Sequence, residues 1–222
     1  MLDSRLIDIF VNSFPKILIP GLTATVPLTA ISFSLAMVIA VAVALVQYAQ
    51  VPVLRQLCRF YIWVIRGTPL LVQLFLVFYG LAKVGLVLAP FPAAVLVFSI
   101  NEGAYCAETV RGALESIPGG QLEAGRCLGL TWLQTVRSVI LPQAMRGAFP
   151  ALSNSLIAMI KDTSLVSNIT MTEMFRATVQ INASVYEPLL LYTEVALVYL
   201  LFSTVLTWLQ RWGEKRLGAY AL

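Results

Sequence analysis

Histidine is absent from this 222-residue chain, which removes the commonest general base and the commonest metal ligand and weighs against a hydrolytic enzyme or a metal site. Charge is scarce too. Asp, Glu, Lys and Arg make up 12% of residues, half of the ~25% usual in a soluble globular domain. The three cysteines, Cys58, Cys106 and Cys127, form no CxxC pair and no metal-like spacing, and read as reduced, structural thiols. No Walker-type loop ending in Gly-Lys-Ser or Gly-Lys-Thr occurs, so any ATP must be hydrolysed by another chain. What is present is apolar sequence, 59% of the chain, and this points to lipid as the main solvent.

A helix crossing a bilayer needs about 20 mostly apolar residues at ~1.5 Å each. Five stretches qualify: residues 22–46, inside an uncharged run over 17–54; 57–82; 91–116; 150–171; and 188–209. Pro20 and Pro27 fall near the start of the first, where proline is best tolerated. The residues before it carry Asp3, Arg5, Asp8 and Lys16 and resemble no secretory signal, so the first stretch reads as a retained span. The chain therefore reads as an all-α membrane protein of five transmembrane helices, a single domain over residues 1–222. Lys and Arg set its orientation. With the N-terminus outside, the inner side receives Arg55, Arg59, Arg111, Arg126, Arg137, Arg146, Arg211, Lys215 and Arg216, and the outer side only Arg5, Lys16, Lys83 and Arg176. The C-terminus is then cytoplasmic, and so is the polar interval at 117–149. Trp208, Trp212 and Tyr220 read as interfacial belt residues, and Glu194 as interfacial near the outer end of the last span.

Within that interval, Ser116-Ile117-Pro118-Gly119-Gly120 breaks the third span. A short helix is expected over 121–128, with Gly129 as its C-terminal cap. A second is expected over 131–141, its apolar face formed by Leu130, Leu133, Val136 and Ile140 and its polar face by Thr131, Gln134, Thr135 and Ser138. Pro142 should stop it.

These residues carry a resemblance. Glu123, Ala124 and Gly125, then Gly129, Val139, Leu141 and Pro142, resemble the EAA signature of the transmembrane subunits of bacterial ABC importers. Gly125 departs from the usual third residue and Val139 from isoleucine. Four further blocks resemble the polar amino acid permeases of the histidine, glutamine and cystine type: Arg66-Gly67-Thr68-Pro69-Leu70-Leu71-Val72-Gln73-Leu74-Phe75; Ala107 to Ala113 running into Ser116 to Gln121; Leu141-Pro142-Gln143-Ala144; and Lys161-Asp162-Thr163-Ser164-Leu165. The resemblance implies a type I ABC importer fold with a cytoplasmic coupling helix. It implies a second permease subunit (a homodimer or a heterodimer), two cytoplasmic ABC ATPase subunits that bind ATP and Mg, and an extracytoplasmic binding protein. The location would be the bacterial inner membrane, and the substrate a polar amino acid such as cystine. No cofactor is expected in this chain, and no nucleic acid partner.

Charges placed at bilayer depth default to function. Counted along their helices, Arg66, Glu102 and the Lys161–Asp162 pair each fall roughly 14–17 Å from a membrane face, close to half of a ~30 Å core. A zwitterionic amino acid needs a cation for its carboxylate, which suits Arg66. It also needs an anion for its ammonium group, which suits Glu102 or Asp162. Thr68, Gln73, Asn101, Asn154 and Ser164 supply neutral donors and acceptors nearby in sequence. Glu108 and Arg111, three apart on one helix face, read as a stabilising pair. An ion-coupled secondary transporter is the rival reading, disfavoured because five spans show no inverted repeat.

Overall fold

The computed structural model describes residues 4–218 and contains no strand among them. Tyr220 lies outside the described residues.

The first helix begins well before residue 22. Helix α1 (Ser4–Pro20), a π-helical turn at Gly21–Thr25 and α2 (Val26–Tyr48) run as one helix of 45 residues, Ser4–Tyr48. Pro20 and Pro27 thus sit inside a helix and not at its start. The π turn explains how Pro27 is accommodated: the Val26 N–H reaches back to the Gly21 carbonyl, widening the turn ahead of a ring that would press on the carbonyl four residues before it.

The same device corrects a second expectation. Pro142 does not stop a helix. Helix α8 (Trp132–Thr135), a π turn at Val136–Ile140 and α9 (Leu141–Asp162) follow one another without interruption. The Leu141 N–H bonds the Val136 carbonyl immediately before Pro142, and Pro150 lies within α9. The residues after Asp162 tighten into a 3₁₀ helix, Thr163–Ile169, ended by Thr170 in the left-handed conformation.

The stretch expected as one helix over 57–82 is broken. Helix α3 (Pro52–Arg66) ends at Gly67, and α4 (Leu70–Phe75) starts after Pro69, continuing through a π turn at Leu76–Gly80 into α5 (Leu81–Lys83). Pro69 has φ −63° and ψ 137°; it lacks an N–H and disfavours helical Thr68, so the helix cannot pass through it.

Helix α6 (Pro90–Glu115) matches its expected range within a residue, and α7 (Gly120–Cys127) forms the short interval helix. Between the expected fourth and fifth spans, over 172–187, lies a further helix, α10 (Met174–Val185), while α11 (Pro188–Gly218) runs on past residue 209. By length and apolarity, two described helices can cross a membrane, Ser4–Tyr48 and Pro188–Gly218, or three if the broken pair Pro52–Arg66 and Leu70–Lys83 counts as one span.

The chain divides into two compact units, each drawn from separate stretches. One takes the residues up to Phe33, Pro69–Phe98 and Leu156–Leu209. Its main core gathers Leu28, Leu74, Val97, Phe98, Met159, Val166 and Ile169, and a second cluster joins Ile17, Met174, Val195 and Val198. Helix α10 packs on α1. Glu173 caps α10: its carboxylate accepts the Phe175 N–H at 2.8 Å, the Arg176 N–H at 2.7 Å and the Tyr199 hydroxyl at 2.8 Å. Glu194, expected to be interfacial, is buried and accepts the Ser13 hydroxyl at 2.5 Å. The helix preceding residue 22 covers it.

The other unit takes Ser34–Thr68, Ser99–Ser155 and the residues from Gln210 onward. Ala36, Ala40 and Ala44, four apart on one face of α2, are fully buried there, as are Ala104, Ala107, Val110 and Leu114 of α6. Small side chains of this kind let helices approach closely in lipid. The Tyr61 hydroxyl donates to the Ile100 carbonyl at 2.6 Å.

Candidate functional site

The polar interval folds as a helix, a sharp turn and a second helix, all within one unit. Helix α7 places Glu123 in its first turn and Arg126 in its last, each charge matching the helix dipole. Its end is a Schellman cap: the Leu130 N–H bonds the Gly125 carbonyl at 3.0 Å and the Gly129 N–H bonds the Arg126 carbonyl at 2.9 Å. Gly129 has φ +75°, the left-handed conformation that a glycine adopts without penalty. Thr131 then opens α8 with a capping box to Gln134.

Gly125 is buried, and a Cβ there would run into the Thr135 side chain. This contact decides which face of the second helix is covered. Val136 and Ile140 are buried as expected, but Leu133 is 65% exposed and Thr135, expected on the polar face, is buried. The Thr135 hydroxyl is satisfied by the Thr131 carbonyl at 3.1 Å, so its burial leaves no orphan donor. Glu123, Ala124, Gly129 and Pro142 are exposed, and Leu141 is half-buried. Leu128, 78% exposed, stands with Leu133 at the turn. Apolar Leu128 and Leu133 and acidic Glu123 are thus exposed on this helix–turn–helix.

The residues expected to meet substrate divide between the two units. Arg66, Thr68, Asn101, Glu102 and Asn154 belong to one; Gln73, Lys161, Asp162 and Ser164 belong to the other. Arg66 is not mid-helix. It is the last residue of α3, exposed, with its guanidinium 5.0 Å from the Tyr105 ring centroid, a cation–π distance. The Thr68 hydroxyl donates to the Val64 carbonyl at 3.0 Å. Asn101 is buried, and Glu102 accepts the Cys106 thiol at 3.4 Å. Asn154, Lys161 and Asp162 are exposed, while Gln73 and Ser164 are half-buried.

The Glu108–Arg111 pair forms as read from its spacing, and Glu115 joins it. Arg111 donates from Nε and Nη2 to Glu108 at 3.0 and 2.9 Å and from Nη1 to Glu115 at 2.7 Å. The two carboxylates line a cavity of about 250 Å³ with Gln47, Arg55, Arg59, Ile62, Trp63 and Arg111. Sequence reasoning missed this cavity, although Arg55, Arg59 and Ile62 at i, i+4 and i+7 already marked one helix face. It also missed the Glu173 cap, whose signal was an acid directly ahead of the amphipathic run over 174–185. Among the described residues no His, Cys, Asp or Glu cluster could hold a metal ion.

An all-helical chain with a capped, outward-facing helix–turn–helix and no nucleotide loop has the features of a permease subunit that is driven by another protein. Residues 32–219 match the family described as binding-protein-dependent transport system inner membrane component, and the chain belongs to that family. It is thus a multi-pass protein of the bacterial inner membrane and not itself an enzyme; its ATPase is a separate subunit. Among its relatives, the L-cystine transport system permease protein TcyB of Bacillus subtilis is 44% identical over 96% of this chain and 92% of that one. The nopaline transport system permease protein NocM of Agrobacterium fabrum is 34% identical over 97% and 96%. A crystal structure of an amino acid ABC transporter with histidines superposes with a TM-score of 0.85 at 32% identity, covering 97% of this chain and 99% of that one. An inward-facing structure of the MetNI methionine ABC transporter, at 22% identity and a TM-score of 0.76 over 91% and 95% of the two chains, shares the fold.

Proposed function

We infer that this chain imports cystine or a closely related polar amino acid. It is the permease component of an amino acid ABC importer. The narrower substrate is supported by the 44% identity to a cystine permease along nearly the whole chain. Five crossings, with the N-terminus outside and the C-terminus inside, give the topology. They use Ser4–Tyr48, the broken α3–α4 pair, α6, α9 and α11, and the balance of Lys and Arg favours this orientation.

The observation that carries the mechanism is the Gly125–Thr135 contact together with the Gly129 cap. A helix locked in this way moves as one piece, so a displacement imposed at its exposed surface passes into α9 through an unbroken helix. In this reading Glu123, Ala124, Gly125, Gly129, Leu141 and Pro142 form the coupling element. It is pushed by the partner ATPases, which hold ATP and Mg. Arg66, Thr68, Gln73, Asn101, Glu102, Asn154, Lys161, Asp162 and Ser164 remain the candidates for contact with the amino acid. A second permease subunit completes the pathway, and an extracytoplasmic binding protein delivers the substrate.

The test is uptake of labelled cystine into proteoliposomes holding the purified complex. Uptake should require the binding protein on one side and ATP on the other. Accumulation driven by a sodium or proton gradient without ATP would refute the importer. ATP-dependent uptake of other amino acids with cystine excluded would refute only the substrate.

A further inference from the structure

The cavity between α3 and α6 has more cation than its carboxylates can use. Arg111 is held by Glu108 on two nitrogens and by Glu115 on a third, and Gln47 adds a contact to Glu108 at 3.5 Å. Glu108 is thereby engaged on both oxygens and Glu115 on one. Arg55 and Arg59, one turn apart on α3, line the same cavity and have no ion-pair partner among the described residues. Three guanidinium groups face two carboxylates, and two planar forks are left to receive an anion.

The same helix names the source of that anion. Beyond Trp63, α3 exposes an apolar face of Val53, Leu57 and Phe60 at 69%, 60% and 62%, spaced i, i+4 and i+7, and Phe60 is its member nearest the cavity. Trp63, which lines the cavity, is itself 71% exposed and packs its ring 6.0 Å from that of Phe60. In a membrane protein an exposed apolar helix face of this kind meets acyl chains, and tryptophan favours the headgroup level. We propose that the cavity lined by Arg55 and Arg59 binds the phosphodiester headgroup of an anionic phospholipid, whose acyl chains leave the cavity past Trp63 and lie against Phe60. A phosphodiester offers two oxygens to the paired forks, and basic pockets beside membrane helices suit such headgroups. A zwitterionic amino acid fits less well, because three guanidinium groups repel its ammonium group and Arg111 already engages both oxygens of Glu108.

The full chain, purified in a neutral detergent and incubated with equal amounts of phosphatidylglycerol and phosphatidylcholine, can be weighed intact with its retained lipids by native mass spectrometry. The wild type should retain phosphatidylglycerol over phosphatidylcholine by about tenfold or more. Arg55→Gln with Arg59→Gln should bring the two lipids level, and Arg55→Lys with Arg59→Lys should restore part of the preference. Equal retention by the wild type overturns the proposal without needing any variant, as does an undiminished preference in the Gln pair. Release of the lipid by millimolar inorganic phosphate would make this a free-anion site. Release by millimolar cystine would make it part of the substrate path. Either result overturns the lipid assignment.

Discussion

Two side chains show how much depends on single positions. Gly125 is required because Thr135 occupies the space a Cβ would need. Gly125→Ala should destabilise the α7–α8 packing by about 1–3 kcal/mol, the usual effect of overpacking, and Thr135→Ala in the same chain should relieve most of it. Thermal unfolding in detergent of both variants checks this; equal instability of the single and double variants would contradict it. Glu173 acts through hydrogen bonds. Glu173→Ala removes the cap of α10 and should cost about 1–2 kcal/mol. Burial pushes the Glu173 carboxyl above the ordinary carboxylate range, and its bonds from the Phe175 and Arg176 N–H groups and the Tyr199 hydroxyl pull it partly back. A carboxyl with a raised folded-state pKa gives a stability contribution that is full below its unfolded value and declines as pH rises through the folded one. Melting temperatures over roughly pH 4 to 8 should therefore decline less steeply in Glu173→Gln than in the wild type. The cap is legible in the acid at position 173, directly ahead of the amphipathic run over 174–185.

At the scale of elements, proline misled the reading in both directions: the break at Gly67–Pro69 fell inside a stretch expected as one helix, and Pro142 was expected to stop a helix that continues. Pro69 ends a helix because Gly67 precedes it and nothing compensates for its missing N–H. Pro27 and Pro142 end nothing, since a π turn closes one residue before each. Periodicity at 3.6 cannot reveal a turn that holds one extra residue, so the helix over 4–48 was read only from residue 22 and that over 132–162 as two pieces. The π turn at Leu76–Gly80 has no proline behind it. Deleting one residue there, such as Val77, should return it to ordinary α-helix with both flanks still aligned. The same deletion in the middle of α6 would rotate all that follows by about 100°. Expression of inserted, monodisperse protein should survive the first deletion and collapse in the second; equal loss in both would refute the difference.

For the whole molecule, the coupling proposal predicts a separation of two activities. Glu123 is exposed on α7. Glu123→Arg should leave the permease in the membrane and bound to its ATPase while uptake drops by about tenfold or more, the scale of one lost charge-assisted contact made repulsive. Uptake per ATP hydrolysed measures this directly, and an unchanged ratio would remove Glu123 from coupling. The family was legible in the sequence because its blocks are local runs of residues. The substrate-facing groups were less so. Arg66, Glu102 and Asp162 were placed by counting along ideal helices, and the counts for Arg66 and Asp162 began at residues 57 and 150, inside helices that start at Pro52 and Leu141.

The helix Ser4–Tyr48 has one more consequence. Its 45 residues extend about 68 Å at helical rise, more than twice the ~30 Å hydrocarbon thickness. Whatever part is embedded, a comparable length stands outside it. A bilayer that thickens by a few ångströms will find more helix to cover at this position without stretching or tilting it. The permease carries its own slack against changes in the membrane around it, concentrated in its first helix.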